Sequence, residues 1–186
     1  MHDALVKDNI AMWDNLVINR HRYTRLINFG SGNEMDTDQD ITLAEESLIF
    51  ERDPKYTYGW MKNFISRDLI QYENFHTLRL FGVFHYTESP KRFFKKIYKH
   101  SRQDYHIYQD RFFDFINLED VTPMIDIVMN GQCRHSDINI VYKDKYKLSE
   151  MAREFNDITG SQTNIIIDNA TGPNYTGDYE RFYSYN

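Results

Sequence analysis

The segment YTRLINFGSG (residues 23–32) joins a strand-like apolar run to a Gly-Ser-Gly turn. Predicted helices and strands alternate through the rest of the chain. Residues 3–19 carry apolar side chains at helical spacing. Asp53-Pro54 is a typical helix start, and this second predicted helix extends to about Glu73. Helices alternating with strands indicate an α/β fold with a mostly parallel sheet and helices on both of its faces.

The alternation continues toward the C-terminus without an internal repeat. The predicted elements are a strand at 78–84, a helix at 91–100, short strands near 106–108 and 112–115, a helix at 118–129, a strand at 138–141, a helix at 148–159 and a strand at 164–167. Gly160 follows the last helix where a capping glycine is expected. The pattern indicates a folded domain over most of the 186 residues.

Composition excludes several classes of protein. The formal net charge of −6 argues against nucleic acid as the main partner. No apolar run approaches the roughly 20 residues of a membrane span, and the first residues lack a signal sequence. The single cysteine, Cys133, cannot form an internal disulfide, and the histidines show no zinc pattern. We therefore expect a cytoplasmic protein that contacts neither nucleic acid nor membrane and holds no metal.

A phenol and an ammonium, those of Tyr58 and Lys62, are spaced to lie on one face of the second helix. A cation beside a phenol stabilises its phenolate, so such a tyrosine can exchange a proton with a carbonyl or hydroxyl group. Spacing alone is weak support, because a chain with 14 tyrosines contains about one such pair by chance. Ser31 strengthens the case, since ligands bind where strands of open α/β sheets end.

Four blocks follow one another in the chain: LINFGSG (26–32), YGWMK (58–62), TLRLFGVF (77–84) and FDFINLEDV (113–121). In order and approximate spacing they resemble the extended short-chain dehydrogenase/reductases, specifically the nucleotide-sugar epimerases, dehydratases and ketoreductases. The resemblance covers roughly residues 5–170. It implies a partial Rossmann-like parallel sheet with flanking helices in residues 1–85, and a small substrate-binding α/β portion in residues 86–186, with the boundary approximate.

The resemblance also implies a role for each matching residue. Tyr58 is expected to be the general acid/base, and Lys62 to stabilise its phenolate. Both would contact the ribose of a nicotinamide cofactor, NAD or NADP. Ser31 is expected to orient the substrate oxygen. The catalytic residues implied are therefore Tyr58, Lys62 and Ser31.

Three departures from the family concern the substrate and the cofactor. Gly82 stands where the family has a substrate-contacting asparagine, and Phe113 stands where it has a phosphate-binding arginine. Arg111, two residues earlier, is expected to replace that arginine if the segment is a strand. The glycine-rich turn that binds the cofactor pyrophosphate, G-x-x-G-x-x-G, is absent from the sequence. We therefore expect a truncated member of the family.

Three interpretations follow. The chain is a nucleotide-sugar reductase or epimerase that works as a homodimer or with a complementing chain. Alternatively, it is a degenerate, non-catalytic fragment of the family that serves as a binding or assembly module. A third interpretation is an unrelated α/β protein in which the blocks are coincidental. Binding of NAD(H) by the purified chain discriminates between the first two interpretations.

Overall fold

The computed structural model describes residues 2–185, with side chains from residue 4 onward. Its helices are α1 (His2–Ile18), α2 (Thr57–Leu69), α3 (Phe93–Lys99), α4 (Leu118–Met129), α5 (Leu148–Thr159) and α6 (Glu180–Tyr183). Its strands are β1 (Leu26–Ser31), β2 (Ile41–Ala44), β3 (Phe75–Leu80), β4 (Val83–Phe84), β5 (Asp104–Ile107), β6 (Ile116–Asn117), β7 (Asp137–Ile140), β8 (Asn164–Ile167) and β9 (Tyr175–Gly177). Within this part of the chain, no helix is long and apolar enough to cross a membrane.

A parallel sheet in the order β1-β3-β7 forms the centre of the fold. In β3 the first five residues are buried, as expected of a strand covered on both faces. One face packs with α4, through Leu78, Val121, Met124 and Ile138. The other packs with α1 and α2, through Trp13, Met61, Leu69 and Phe75. The α/β fold with a parallel sheet and flanking helices is thus confirmed.

Three further parallel strand pairs surround this sheet. β5 pairs with β8, and together with α3 and α5 they enclose Ile97, Ile107 and Ala152. β4 pairs with β6, and β2 pairs with β9. The last pair places residues 175–177 beside residues 41–44, so the C-terminal part of the chain returns to the end of β1. The division of the chain into two parts near residue 85 stays a prediction, because strands from before and after this residue pair with each other.

Two predicted strands have different bounds in the structure. The expected strand at 78–84 is two strands, because β3 pairs with β1 and β7 whereas Val83 pairs with Ile116 in a separate pair. The predicted strand at 112–115 is only partly present. Phe112 and Phe113 form isolated β-bridges with Lys147 and Tyr175, in which Phe113 N donates to Tyr146 O and Asp114 N to Tyr175 O. The strand begins instead at Ile116.

Asp114 gives the fold a specific dependence on pH. Its buried carboxylate accepts hydrogen bonds from Lys145 Nζ at 2.7 Å and from the Gly177 amide at 2.8 Å. Burial raises the pKa of Asp114 from 3.8 to about 6, although Lys145 opposes the shift. The folded chain therefore holds this proton more tightly than the unfolded chain, and this group's contribution to stability is lost as pH rises from about 4 to about 6.

We expect that loss to reach about 3 kcal/mol in the free energy of unfolding. Urea unfolding of the unaltered chain and of Asp114→Asn, at several pH values across this interval, measures it. The stability of the unaltered chain relative to the variant should fall as pH rises. A difference that does not change with pH would contradict the shifted pKa.

Candidate functional site

The turn after β1 is built around Ser31. The Ser31 hydroxyl accepts a hydrogen bond from the Asn33 amide at 3.3 Å, and the Ser31 amide donates to Glu34 Oε1 at 2.8 Å. These reciprocal bonds form a capping box for the short 3₁₀ turn Gly32–Met35. Gly30 makes room for it, since a Cβ there would lie 2.8 Å from Glu34 Oε1 and 2.7 Å from the Thr77 methyl carbon. The geometry holds Ser31 at the carboxyl end of β1.

Helix α2, which carries Tyr58 and Lys62, is docked directly on this turn. Gly59 allows the close approach, because a Cβ at this position would lie 2.3 Å from the Asn33 carbonyl oxygen. One turn later, the buried Asn63 amide donates to Glu34 O at 2.7 Å and to Ile49 O at 2.9 Å. The helix is thereby fixed against the segment that begins at Ser31.

Lys62 lies on the same side of α2 as Tyr58, and its side chain extends to β1. Its ammonium donates to the Phe29 carbonyl oxygen at 2.8 Å. Burial lowers the pKa of Lys62, and the nearby negative charge of Glu34 opposes that shift. Tyr58 lies one helical turn earlier, with 46% of its surface exposed, and lines a cavity of about 180 Å³ together with Asn33. The structure thus brings Ser31, Tyr58 and Lys62 to the same end of β1.

Tyr175 belongs to this cluster as well, although no motif in the sequence indicates a role for it. It is 5% exposed, and its hydroxyl lies 2.6 Å from where a Cβ on Gly32 would be. Burial raises the pKa of Tyr175, and the nearby groups of Glu34 and Tyr58 raise it further. A hydrogen bond with Ser31 lowers the pKa of Tyr175 and so opposes this shift. No local pattern could have identified Tyr175, because the β2–β9 pairing that brings it here joins segments more than 130 residues apart.

A groove of about 530 Å³ extends from this cluster, sharing Asn33, Thr37 and Tyr56 with the cavity beside Tyr58. Aromatic rings line it in a connected row. The ring centroids of Phe81 and Tyr175 are 4.9 Å apart, those of Tyr175 and Phe113 are 4.8 Å apart, and those of Phe113 and Phe115 are 4.7 Å apart. Three cations also line the groove: Lys91, Arg92 and Arg111. It can therefore hold a ligand that combines ring faces with negative charge.

Of the three residues expected to contact the substrate, Gly82 and Arg111 line this groove, and Ser31 lies at the end of β1. A Cβ on Gly82 would lie 2.7 Å from the Phe115 ring and 2.8 Å from the Asp114 carbonyl oxygen, so the aromatic row fills the space of a side chain. Arg111 Nη1 donates to Pro173 O at 3.1 Å, and its guanidinium lies 5.4 Å from the centroid of the Phe113 ring. Arg111 reaches the groove from an irregular segment.

The residues at the end of β1 fit the ribose end of a nicotinamide cofactor. An ammonium has three donors, and one of those on Lys62 is used by Phe29 O, which leaves donors for ribose hydroxyls. Tyr58 is accessible beside it, and Phe29 is 45% exposed.

Among the strands of residues 2–185, β1 pairs with β3 alone. Over the same residues, no group of three His, Cys, Asp or Glu side chains could hold a metal ion.

The tight contact at Gly59 leads to a stability prediction. In a helix, alanine is favoured over glycine by about 1 kcal/mol. Here the added methyl group meets a backbone carbonyl that cannot rotate away, and such overpacking costs about 1–3 kcal/mol. We therefore expect Gly59→Ala to lower the melting temperature. Thr57→Ala, at an exposed position of the same helix, serves as the control. A Gly59→Ala variant more stable than the unaltered chain would contradict the close packing.

No protein-family model matches the sequence, and no curated protein matches it. Solved structures do. The GDP-mannoheptose C4 reductase MlghC from Campylobacter jejuni, solved with NADP bound, is 18% identical, with a TM-score of 0.80 over 100% of this chain and 69% of that chain. A GDP-L-fucose synthetase from Naegleria fowleri bound to NADP is 15% identical, with a TM-score of 0.81 over 100% of this chain and 65% of that chain.

A third similar structure is the dTDP-glucose 4,6-dehydratase from Bacillus anthracis in complex with NAD. It is 12% identical, with a TM-score of 0.73 over 98% of this chain and 62% of that chain. At these identities the likeness establishes the fold. The chain therefore has the Rossmann-like fold of these nucleotide-sugar reductases and dehydratases, the fold that the resemblance of its four sequence blocks implied, and it spans about two thirds of the length of those enzymes.

Proposed function

We propose that this chain carries the acid/base and substrate-binding part of a nucleotide-sugar reductase or epimerase that uses NAD or NADP. The observation that carries the proposal is the meeting of Ser31, Tyr58 and Lys62 at the end of β1, next to a groove with aromatic and cationic sides. The similar structures support the class of substrate and cofactor, since two of them are NADP-bound enzymes of GDP-sugar metabolism.

In this proposal the residues divide the work on one substrate oxygen. Tyr58 Oη gives its proton to a sugar carbonyl oxygen, or takes one from a hydroxyl in the opposite direction. Ser31 Oγ donates a hydrogen bond to the same oxygen and holds it toward Tyr58. The Lys62 ammonium stabilises the phenolate that forms and donates to the cofactor ribose. A nicotinamide cofactor, when bound, supplies the exchange of hydride with the sugar carbon.

The groove binds the remainder of the nucleotide sugar. Arg111, Lys91 and Arg92 are suited to a diphosphate, because guanidinium and ammonium groups form charge-assisted hydrogen bonds with phosphate oxygens. The aromatic row offers ring faces to the sugar or to the base. Neither Gly82 nor Phe113 provides a polar side-chain group here, so Arg111 makes the phosphate contact expected at the position of Phe113, beside Lys91 and Arg92.

The partner in this proposal is a second copy of the chain or a complementing chain. Leu5, Met12, Trp60 and Phe64 are each more than 40% exposed on α1 and α2. Burying such a surface is favourable, and we expect the purified chain to sediment as a dimer or to pair with a chain that completes the sheet beside β1. Sedimentation as a well-behaved monomer would count against this part of the proposal.

The decisive experiment combines cofactor binding with turnover. NADPH and NADH fluorescence is titrated with the purified chain, and oxidation of each is then followed with GDP-, UDP- and dTDP-linked 4-keto sugars. Binding together with turnover that is lost in Ser31→Ala supports the proposal. Absence of both, with the chain alone and with a candidate complementing chain, would favour the non-catalytic binding module instead.

A further inference from the structure

Glu34 is a fully buried residue whose hydrogen bonds join the turn at Ser31, helix α2 and strand β3. Its Oε1 accepts from the Ser31 amide at 2.8 Å, and its own carbonyl oxygen accepts from Asn63 of α2 at 2.7 Å. The same Oε1 lies 2.8 Å from the position of a Cβ on Gly30, the residue after the carbonyl that binds Lys62. One side chain therefore contacts the serine turn and lies beside Gly30, next to the residue whose carbonyl oxygen binds Lys62.

A buried carboxylate is costly unless a cation compensates it, and Arg79 of β3 provides that cation. Arg79 Nε donates to Glu34 Oε2 at 2.8 Å, and its Nη2 donates to Asp137 Oδ2 at 2.9 Å. Both Arg79 and Glu34 are 0% exposed. Burial raises the pKa of Glu34, while Arg79 opposes the shift and Asp137 adds to it. An apolar residue could fill this buried position without such a network. We therefore expect the Glu34 charge to have a function in the contacts that it makes at the site.

We propose that Glu34 is the positioning residue of this site: its carboxylate fixes Ser31 at the end of β1 and holds a negative charge beside Lys62. Arg79 keeps that carboxylate in place. The inference rests on the roles of Ser31 and Lys62 in the proposed function. Glu34 itself touches neither substrate nor cofactor and acts through those two residues.

The test measures Lys62 directly, without substrate or cofactor. The chain is labelled with acetic anhydride over a range of pH, and mass spectrometry gives the rate at the Lys62 peptide. In Glu34→Gln the ammonium loses its nearby negative charge, so the apparent pKa of Lys62 should shift downward and its acetylation at neutral pH should become faster. This labelling experiment measures no activity, so a negative result would not contradict the proposed function. If the proposed function were wrong, the labelling rate of Lys62 would still show whether Glu34 acts on it.

Asp137→Asn is the matched control. It also removes one carboxylate from Arg79, and neither the Ser31 amide nor the Lys62 ammonium donates a hydrogen bond to Asp137. We expect the titration of Lys62 to stay unchanged in this variant. Unchanged titration in Glu34→Gln, or an equal shift in both variants, would overturn the proposal.

Glu34→Asp covers the case in which Glu34→Gln fails to fold. It keeps the charge for Arg79 but shortens the side chain by one methylene, so the bond to the Ser31 amide is lost. Hydrogen exchange at the Ser31 amide should then become faster while Lys62 continues to titrate as in the unaltered chain. Exchange at Ser31 as slow as before would overturn the proposal.

Discussion

Replacing Tyr58 by phenylalanine is expected to lower the turnover of the cofactor-dependent reaction by about 10²–10⁴-fold, the range for loss of a general acid/base. The substitution removes a single hydroxyl from a side chain that is 46% exposed, so the fold should not change. Neighbouring groups cannot replace it. Tyr175 is buried, and burial raises its pKa, which disfavours a transferable charge there.

Steady-state kinetics on the unaltered chain, Tyr58→Phe and Tyr108→Phe give the measurement. Tyr108 is 76% exposed and lines neither the groove nor the cavity beside Tyr58, so its variant should retain full turnover. Since the proton is needed only in the chemical step, the loss in Tyr58→Phe should appear in kcat rather than in the affinity for cofactor. Turnover of Tyr58→Phe equal to that of the control would contradict the acid/base assignment.

The second large effect concerns the stability of the fold. Arg79→Met leaves Glu34 and Asp137 buried and without the cation that joins them. Removing one partner of a buried ion pair costs about 3–5 kcal/mol, because the remaining charge cannot return to water. For a chain of this size, such a loss lowers the melting temperature by about 10 °C. Urea and thermal unfolding measure both quantities.

The triple variant Arg79→Met, Glu34→Gln, Asp137→Asn tests the reason for that loss. If the cost comes from uncompensated charge, neutralising both carboxylates should recover most of the stability lost in Arg79→Met. If the triple variant is as unstable as Arg79→Met alone, the cause is lost packing around the guanidinium and not charge.

Local pattern predicted most of the elements. The bounds of α4, α5 and β8 were predicted to the residue, since each has a clear apolar pattern and Gly160 ends α5 with a φ of 67°. The strand predicted at 112–115 is limited to two isolated β-bridges, because its backbone bonds are shared between two separate segments, at Tyr146 and at Tyr175. The composition of the segment is typical of a strand, but neither segment pairs with it continuously.

By itself, the sequence determined the alternation of helices and strands, and it predicted Ser31 at the end of a strand and Tyr58 and Lys62 on one face of a helix in a parallel α/β fold. Those features depend on residues close together in the chain. Only the tertiary structure decided that Tyr175 packs beside Ser31, that Gly59 lies against Asn33, and that Glu34 is buried on Arg79. Each of these contacts joins segments about 25 to 145 residues apart, and such contacts form only when the sheet, its helices and the returning C-terminal strand pack together.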